Sequence, residues 1–199
     1  IMEFPGAPAT YAIIIANLIA SIYGLSFDRG FVGSFAFNVG ALVNAKQHYR
    51  IFTSSFLHGD YFHLLFNMMT LLFFGPVVER LLGTDGFLVV YFGAVLASGI
   101  VSFYVNRANL AYTSLGASDG VSGVVLSFCL FFPLAPIYFM FVPIGIPAII
   151  YGAFYILISA NMIGRFGGRV AHEAHLAGAI AGVLLTIAMR PQILAQIFS

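Results

Sequence analysis

The chain has 199 residues, 61% of them hydrophobic and only 8% charged, against roughly 45–50% apolar and about 25% charged for a soluble domain. That balance excludes an ordinary water-soluble globule and identifies an integral membrane protein. It reads as a single domain over residues 1–199, because no polar linker divides the apolar segments. A formal net charge of +1 with scattered Lys and Arg offers no basic patch, so no nucleic acid partner is expected, and the lone Cys129 excludes an internal disulfide.

About 20 apolar residues cross the hydrocarbon core of a bilayer, and on that rule the chain makes six spans. The first runs from Thr10 to about Ser26. It lacks the basic leader and small-residue cleavage site of a signal peptide, so it is read as retained. The connection from Phe27 to about His58 mixes Asp28, Arg29, Lys46, His48 and Arg50 with Phe31, Phe35, Phe37 and Tyr49. So aromatic a segment is expected to lie in the membrane interface. The second span, about Tyr61 to Leu82, ends at the turn Gly83-Thr84-Asp85-Gly86. The third is Phe87 to about Val105 and the fourth about Ala117 to Phe132. The fifth, about Ile137 to Ala160, contains Pro143 and Pro147 and should be kinked or start late. The sixth, about Val170 to Met189, is closed by Arg190-Pro191. Arg29, Lys46, Arg50, Arg107, Arg165 and Arg169 fall in loops on one side, against Arg80 and Arg190 on the other. The positive-inside rule puts the first side in the cytoplasm.

The fourth span opens on Ser114-Leu115-Gly116-Ala117-Ser118-Asp119-Gly120-Val121-Ser122-Gly123. Glycines there cost helix stability without adding bulk. Either they let another helix approach closely, or they keep a serine hydroxyl reachable. Partners for such a hydroxyl exist elsewhere. His63 and Asn67 stand four apart on one face of the second span, and Ala171-His172-Glu173-Ala174-His175 opens the sixth. Ionisable and polar groups inside spans are costly and are functional candidates by default, although His63 and Asn67 also fit a pair that merely holds two helices together. Gly178 and Gly182 form a G-x-x-x-G face one turn beyond His175, and the matching small residues are Gly116, Gly120 and Gly123. Docking these faces sets His175 against Ser118, giving the serine the neutral imidazole base that it needs. The backbone N–H of Ser118 with the side chains of His63 and Asn67 can then meet an oxyanion.

Taken together, Tyr49-Arg50, Phe56-Leu57-His58, His63-x-x-x-Asn67, Glu79-Arg80, Gly116-Ala117-Ser118 and Ala174-His175-x-x-Gly178 make the chain resemble the rhomboid family of intramembrane serine proteases over nearly its whole length. The resemblance implies an all-α bundle of six transmembrane helices with a long interfacial first loop. It implies a Ser118–His175 dyad, His63 and Asn67 around the oxyanion, and His58, His172 and Gly116 lining the substrate cavity. It further implies no cofactor and no metal, transmembrane proteins as substrates, and a multi-pass protein of a bacterial inner membrane whose site opens to the non-cytoplasmic side. That orientation is opposite to the positive-inside count, and the family's is preferred.

One departure matters. The family writes Gly-x-Ser-Gly, whereas this chain has Gly116-Ala117-Ser118-Asp119; the register Gly120-Val121-Ser122-Gly123 restores the pattern with Ser122 as nucleophile. Ser118 is preferred on the preceding Leu115-Gly116-Ala117 and the apolar run down to Pro133, leaving Ser122 as a small packing residue. Asp119 opens a second reading, a catalytically impaired relative that binds membrane helices. A third, a metal site from His63, Asp119, His172 and His175, is disfavoured because His-Glu-Ala-His is one residue short of the H-E-x-x-H zinc signature. Arg50 and Glu79 are read as anchors for loops.

Overall fold

A computed structural model describes residues 6–138, 144–162 and 172–197. Its longer helices are α1 (Pro8–Ser26), α5 (Tyr61–Asn106), α6 (Ser118–Phe131), α7 (Ala148–Met162) and α8 (His172–Met189); α2 (Arg29–Phe35), α3 (Val39–Asn44), α4 (Arg50–Thr53) and α9 (Ile193–Ile197) are short. By length and composition α1, α5 and α8 are able to cross a membrane, while α6 and α7 are apolar but shorter.

Local chemistry explains where the helices start and stop. Asp60 accepts from the His63 amide at 2.8 Å and caps α5. At α1, Pro8 sits in the first turn, where its missing N–H costs nothing. The amides of Ala9 and Thr10 donate to the Glu79 carboxylate at 3.0 and 2.8 Å. Thr84 also donates to Glu79, at 2.9 Å. Glu79 therefore anchors a helix start rather than a loop. Arg50 does anchor a loop, donating to the carbonyls of Gly33 and Ala36 at 2.8 and 2.9 Å.

One expectation needs correction and another is met. The turn over Gly83–Gly86 shrinks to Gly83 alone, whose φ of 77° and ψ of 165° break α5 while the flanking residues stay helical. Only glycine adopts that backbone without strain. As its prolines led one to expect, the fifth span begins late, at Ala148, and before it β3 (Pro136–Tyr138) pairs antiparallel with β4 (Gly145–Pro147). Pro143 lies outside the described residues, as do Val170, Ala171, Arg165 and Arg169. Within this mostly helical fold, a short bridge joins β1 (Phe37–Asn38) to β2 (Thr113–Ser114). Backbone groups in the connections, having no helix to bond within, pair with one another.

The core is built around α6, nine of whose fourteen residues are buried. Val121, Val124 and Val125 pack among Phe87, Val90 and Tyr91 of α5 and Ala179 of α8. Glycines set the spacing of α6 and α8. A methyl built on Gly178 would stand 2.5 Å from the carbonyl oxygen of Asp119, and one on Gly182 would collide with the backbone of Gly123. Just below, the hydroxyls of Ser127 and Thr186 meet at 2.6 Å across the same interface. Gly120, by contrast, faces α5, where a methyl would lie 2.7 Å from the Tyr91 ring. The small-residue matching therefore holds for Gly123 and fails for Gly120.

Candidate active site

Ser118 begins α6 and His175 lies in the first turn of α8, so the site forms where two helix starts meet. Ser118 Oγ is 2.7 Å from His175 Nε2. With Nε2 unprotonated, the hydroxyl donates to it, which is the arrangement a general base requires. As the first residues of α6, Ser118 and Asp119 carry amides that have no acceptor within the helix. Ser122 is not simply a packing residue. It donates to the Ser118 carbonyl at 2.6 Å, so its one hydrogen is committed and it accepts from Tyr155 Oη at 2.5 Å. It thus links α6 to α7, whereas Ser118 is the serine that meets His175.

Gly116 has a φ of 136°, open only to glycine at low cost. A methyl there would stand 2.7 Å from His63 Cε1, 3.0 Å from His63 Nε2 and 3.5 Å from Ser118 Oγ. Gly116 therefore keeps open the gap between the His63 ring and the serine hydroxyl. Asn67 is buried one turn further along α5, and its amide donates to the His63 carbonyl at 2.9 Å. His63 is thus brought to Gly116 and Ser118, whereas the contact described for Asn67 is with its own helix.

The His58 side chain is fully buried. Its hydrogen bonds define its state. The Ala117 amide donates to Nε2 at 3.3 Å, so the proton sits on Nδ1, 2.9 Å from Ser21 Oγ, which donates onward to the Phe56 carbonyl at 2.9 Å. Every polar atom of the ring is satisfied only when the imidazole is neutral. Burial, aided by neighbouring His63, accordingly pushes its pKa down to about 3. His58 is a strut. With the Gly116 amide donating to Ser54 O at 3.0 Å, it fixes the backbone just before Ser118.

His172 does line an open cavity of about 540 Å³, together with His175, Ile146, Tyr151, Phe154 and Tyr155. The lining is mostly apolar and comes from α7, α8 and the β4 strand. Asp119 falls in the first turn of α6, where a negative charge favours the helix dipole by about 0.3–1 kcal/mol. Glu173, Tyr91 and Tyr155 lie within its electrostatic reach. Among the described residues no three His, Cys, Asp or Glu side chains come together to hold a metal ion.

Sequence reading missed Ser98, Tyr112, Tyr155 and Glu173. Ser98 Oγ donates to the Ala174 carbonyl at 2.6 Å, beside His175. Tyr112 and Asn106 both donate to Glu173 Oε1, at 2.9 and 3.1 Å. The available signals were a serine beside Gly99 in an apolar helix and a carboxylate between two histidines.

The apolar bundle of helices, with a serine hydroxyl on an imidazole, defines an integral membrane protein that holds a serine–histidine pair. The family model described as Rhomboid domain matches residues 45–192, and the chain belongs to the rhomboid family. It is 34% identical to Rhomboid protein 1, mitochondrial, of Saccharomyces cerevisiae over 140 residues, covering 67% of this chain and 40% of that protein. It is 31% identical to the mouse (Mus musculus) Presenilin-associated rhomboid-like protein, mitochondrial, over 183 residues, 89% of this chain and 48% of the relative. It is 38% identical to Putative rhomboid protease YdcA of Bacillus subtilis over 88 residues, 44% of this chain and 42% of that protein. The chain thus spans less than half the length of each of these three relatives.

Proposed function

We propose that the chain is an intramembrane serine endopeptidase that cleaves transmembrane segments of membrane proteins with Ser118 as nucleophile and His175 as base. The observation that carries this reading is the 2.7 Å contact between Ser118 Oγ and His175 Nε2. Ser118 Oγ attacks the scissile amide carbonyl while Nε2 takes its proton, and the imidazolium then protonates the leaving amine. An acyl-enzyme on Ser118 remains; water, deprotonated by His175, releases the acid and regenerates the serine. This chemistry calls for no cofactor and no metal. The tetrahedral oxyanion is met by the free amides at the start of α6 and by His63 across Gly116, each such donor contributing about 3–4 kcal/mol; Asn67 serves as a further donor.

In this reading the bundle has six spans, with α5 supplying two of them around Gly83. At about 1.5 Å per residue, the fourteen residues of α6 reach about 21 Å, short of the roughly 30 Å hydrocarbon core. A helix so short lets Ser118 sit below the membrane surface, in a site opening to the non-cytoplasmic side, with the segment from Phe27 to His58 at the interface. Substrates unwind locally to present an amide, because a helical amide is enclosed by its own hydrogen bonds. Two of the three relatives above are mitochondrial by name and one is from Bacillus subtilis. The names that state a compartment are mitochondrial, so they do not support the bacterial inner membrane expected from sequence.

Asp119 favours a second reading, a helix-binding relative without activity, because it puts a carboxyl group where the family motif has glycine, beside the nucleophile. The deciding experiment is cleavage of a transmembrane substrate in liposomes together with labelling by a fluorophosphonate. Ser118→Ala and His175→Ala abolish both, while Ser122→Ala keeps most of each. Loss in Ser122→Ala with Ser118→Ala active would overturn the assignment, and a folded parent chain that neither labels nor cleaves supports the inactive relative.

A further inference from the structure

A serine and a histidine on separate helices are held at one distance only if both helix starts are fixed from outside, since the first turn of a helix is its least bonded part. His58 and Ser54 fix the backbone before Ser118. On the α8 side the ties are the Ser98 hydroxyl on the Ala174 carbonyl and the two donors on Glu173. These donors come from different places. Asn106 ends α5, whereas Tyr112 belongs to the segment that runs through β2 into Gly116 and Ser118. Tyr112 is itself held, its carbonyl accepting from the Val39 amide at 3.1 Å and its ring 6.2 Å from that of Phe37. Burial, and after it the Glu173 charge, push the Tyr112 phenol up, so it remains a donor across the working pH range. One carboxylate oxygen, two residues before His175, therefore ties the strand that delivers the nucleophile to the helix that delivers the base.

We infer that Glu173 is a positioning residue of the site, its carboxylate clamping Tyr112 and Asn106 so that His175 Nε2 stays within hydrogen-bond reach of Ser118 Oγ. This rests on the Ser118–His175 hydrolysis proposed above. Among the described residues the Glu173 carboxylate takes its hydrogen bonds from Asn106 and Tyr112 rather than from the dyad. Its effect is on the geometry of the base, and it extends to the reaction rate rather than to substrate binding.

The test measures kcat, KM and the rate of fluorophosphonate labelling for the whole chain in liposomes. Glu173→Ala lowers kcat and the labelling rate about 10–100-fold with KM within about twofold of the parent, the scale of loss for an ångström of misplacement. Glu173→Gln recovers most of both, because its amide oxygen still accepts from the two donors. Tyr112→Phe, which removes one hydroxyl and keeps the ring packing, lowers kcat about 3–10-fold and adds little on top of Glu173→Ala. Should Glu173→Ala fail to fold, the Tyr112→Phe and Glu173→Gln pair decides. Parent-like kcat and labelling in Tyr112→Phe overturn the inference, as does a Glu173→Gln protein slowed below Tyr112→Phe. Cleavage that survives Ser118→Ala would instead remove the hydrolysis reading beneath it.

Discussion

Replacing Gly178 by alanine tests the contact on which the dyad depends. The added methyl would lie 2.5 Å from the Asp119 carbonyl oxygen and 2.9 Å from Ser98 Oγ, against 3.4 Å or more for an ordinary contact. Backbone cannot rotate away as a side chain can, so α6 and α8 must part by about 0.9 Å at this level, the shortfall between those distances. His175 is one turn before Gly178 and Ser118 is next to Asp119, so most of the displacement falls on the 2.7 Å Ser118–His175 bond. That bond then exceeds the roughly 3.2 Å limit of useful hydrogen bonds. Overpacking of this kind costs about 1–3 kcal/mol, and an ångström of misplacement costs about 100-fold in rate. The measurement pairs thermal melting in detergent with cleavage of a transmembrane substrate, and takes Leu184→Phe as the control because Leu184 is 61% exposed on α8. Gly178→Ala should melt earlier and cleave about 100-fold more slowly, with Gly178→Leu worse in both. A Gly178→Ala protein with the melting and cleavage of the parent would refute the close docking.

Two further outcomes follow from single residues. The folded state holds His58 neutral with a pKa of about 3, while the unfolded chain takes its proton near pH 6.5. Its contribution to stability is thus complete above about pH 6.5 and is lost as pH falls toward 3. Going from pH 7 to pH 5, the parent should lose about 2 kcal/mol that His58→Gln does not lose; equal losses in chemical denaturation of the two proteins would contradict a His58 held neutral by its hydrogen bonds. Asp119→Gly should raise the rate of cleavage several-fold in the transmembrane-substrate assay by removing bulk beside Ser118. It should also lower the melting temperature slightly, since the helix gains a glycine. A slower but fully folded Asp119→Gly protein would mean that the carboxylate assists the reaction.

The sequence by itself determined the membrane class, because 61% hydrophobic and 8% charged residues leave no soluble alternative. It also narrowed the candidate nucleophile to Ser118 or Ser122 and offered His175 as the base, because serines among glycines and a histidine one turn before Gly178 are local patterns, while the preference for Ser118 came from the resemblance to the rhomboid family. What it could not determine lies in contacts between segments distant in the chain. The matching of small residues treated Gly120 like Gly123, but only the packed bundle shows that Gly120 faces Tyr91 and Gly123 faces α8. Likewise His58 carries no sequence mark that separates a ligand from a strut. Ser21 stands 37 positions away and the Ala117 amide 59 positions away, and both are needed to fix its tautomer. Glu173 gains its partners from Asn106 and Tyr112 in the same manner. Side-chain type and spacing specify which groups are able to react, whereas hydrogen-bond partners and close backbone approaches come into being only when helices dock, and there the position and protonation of each group are decided.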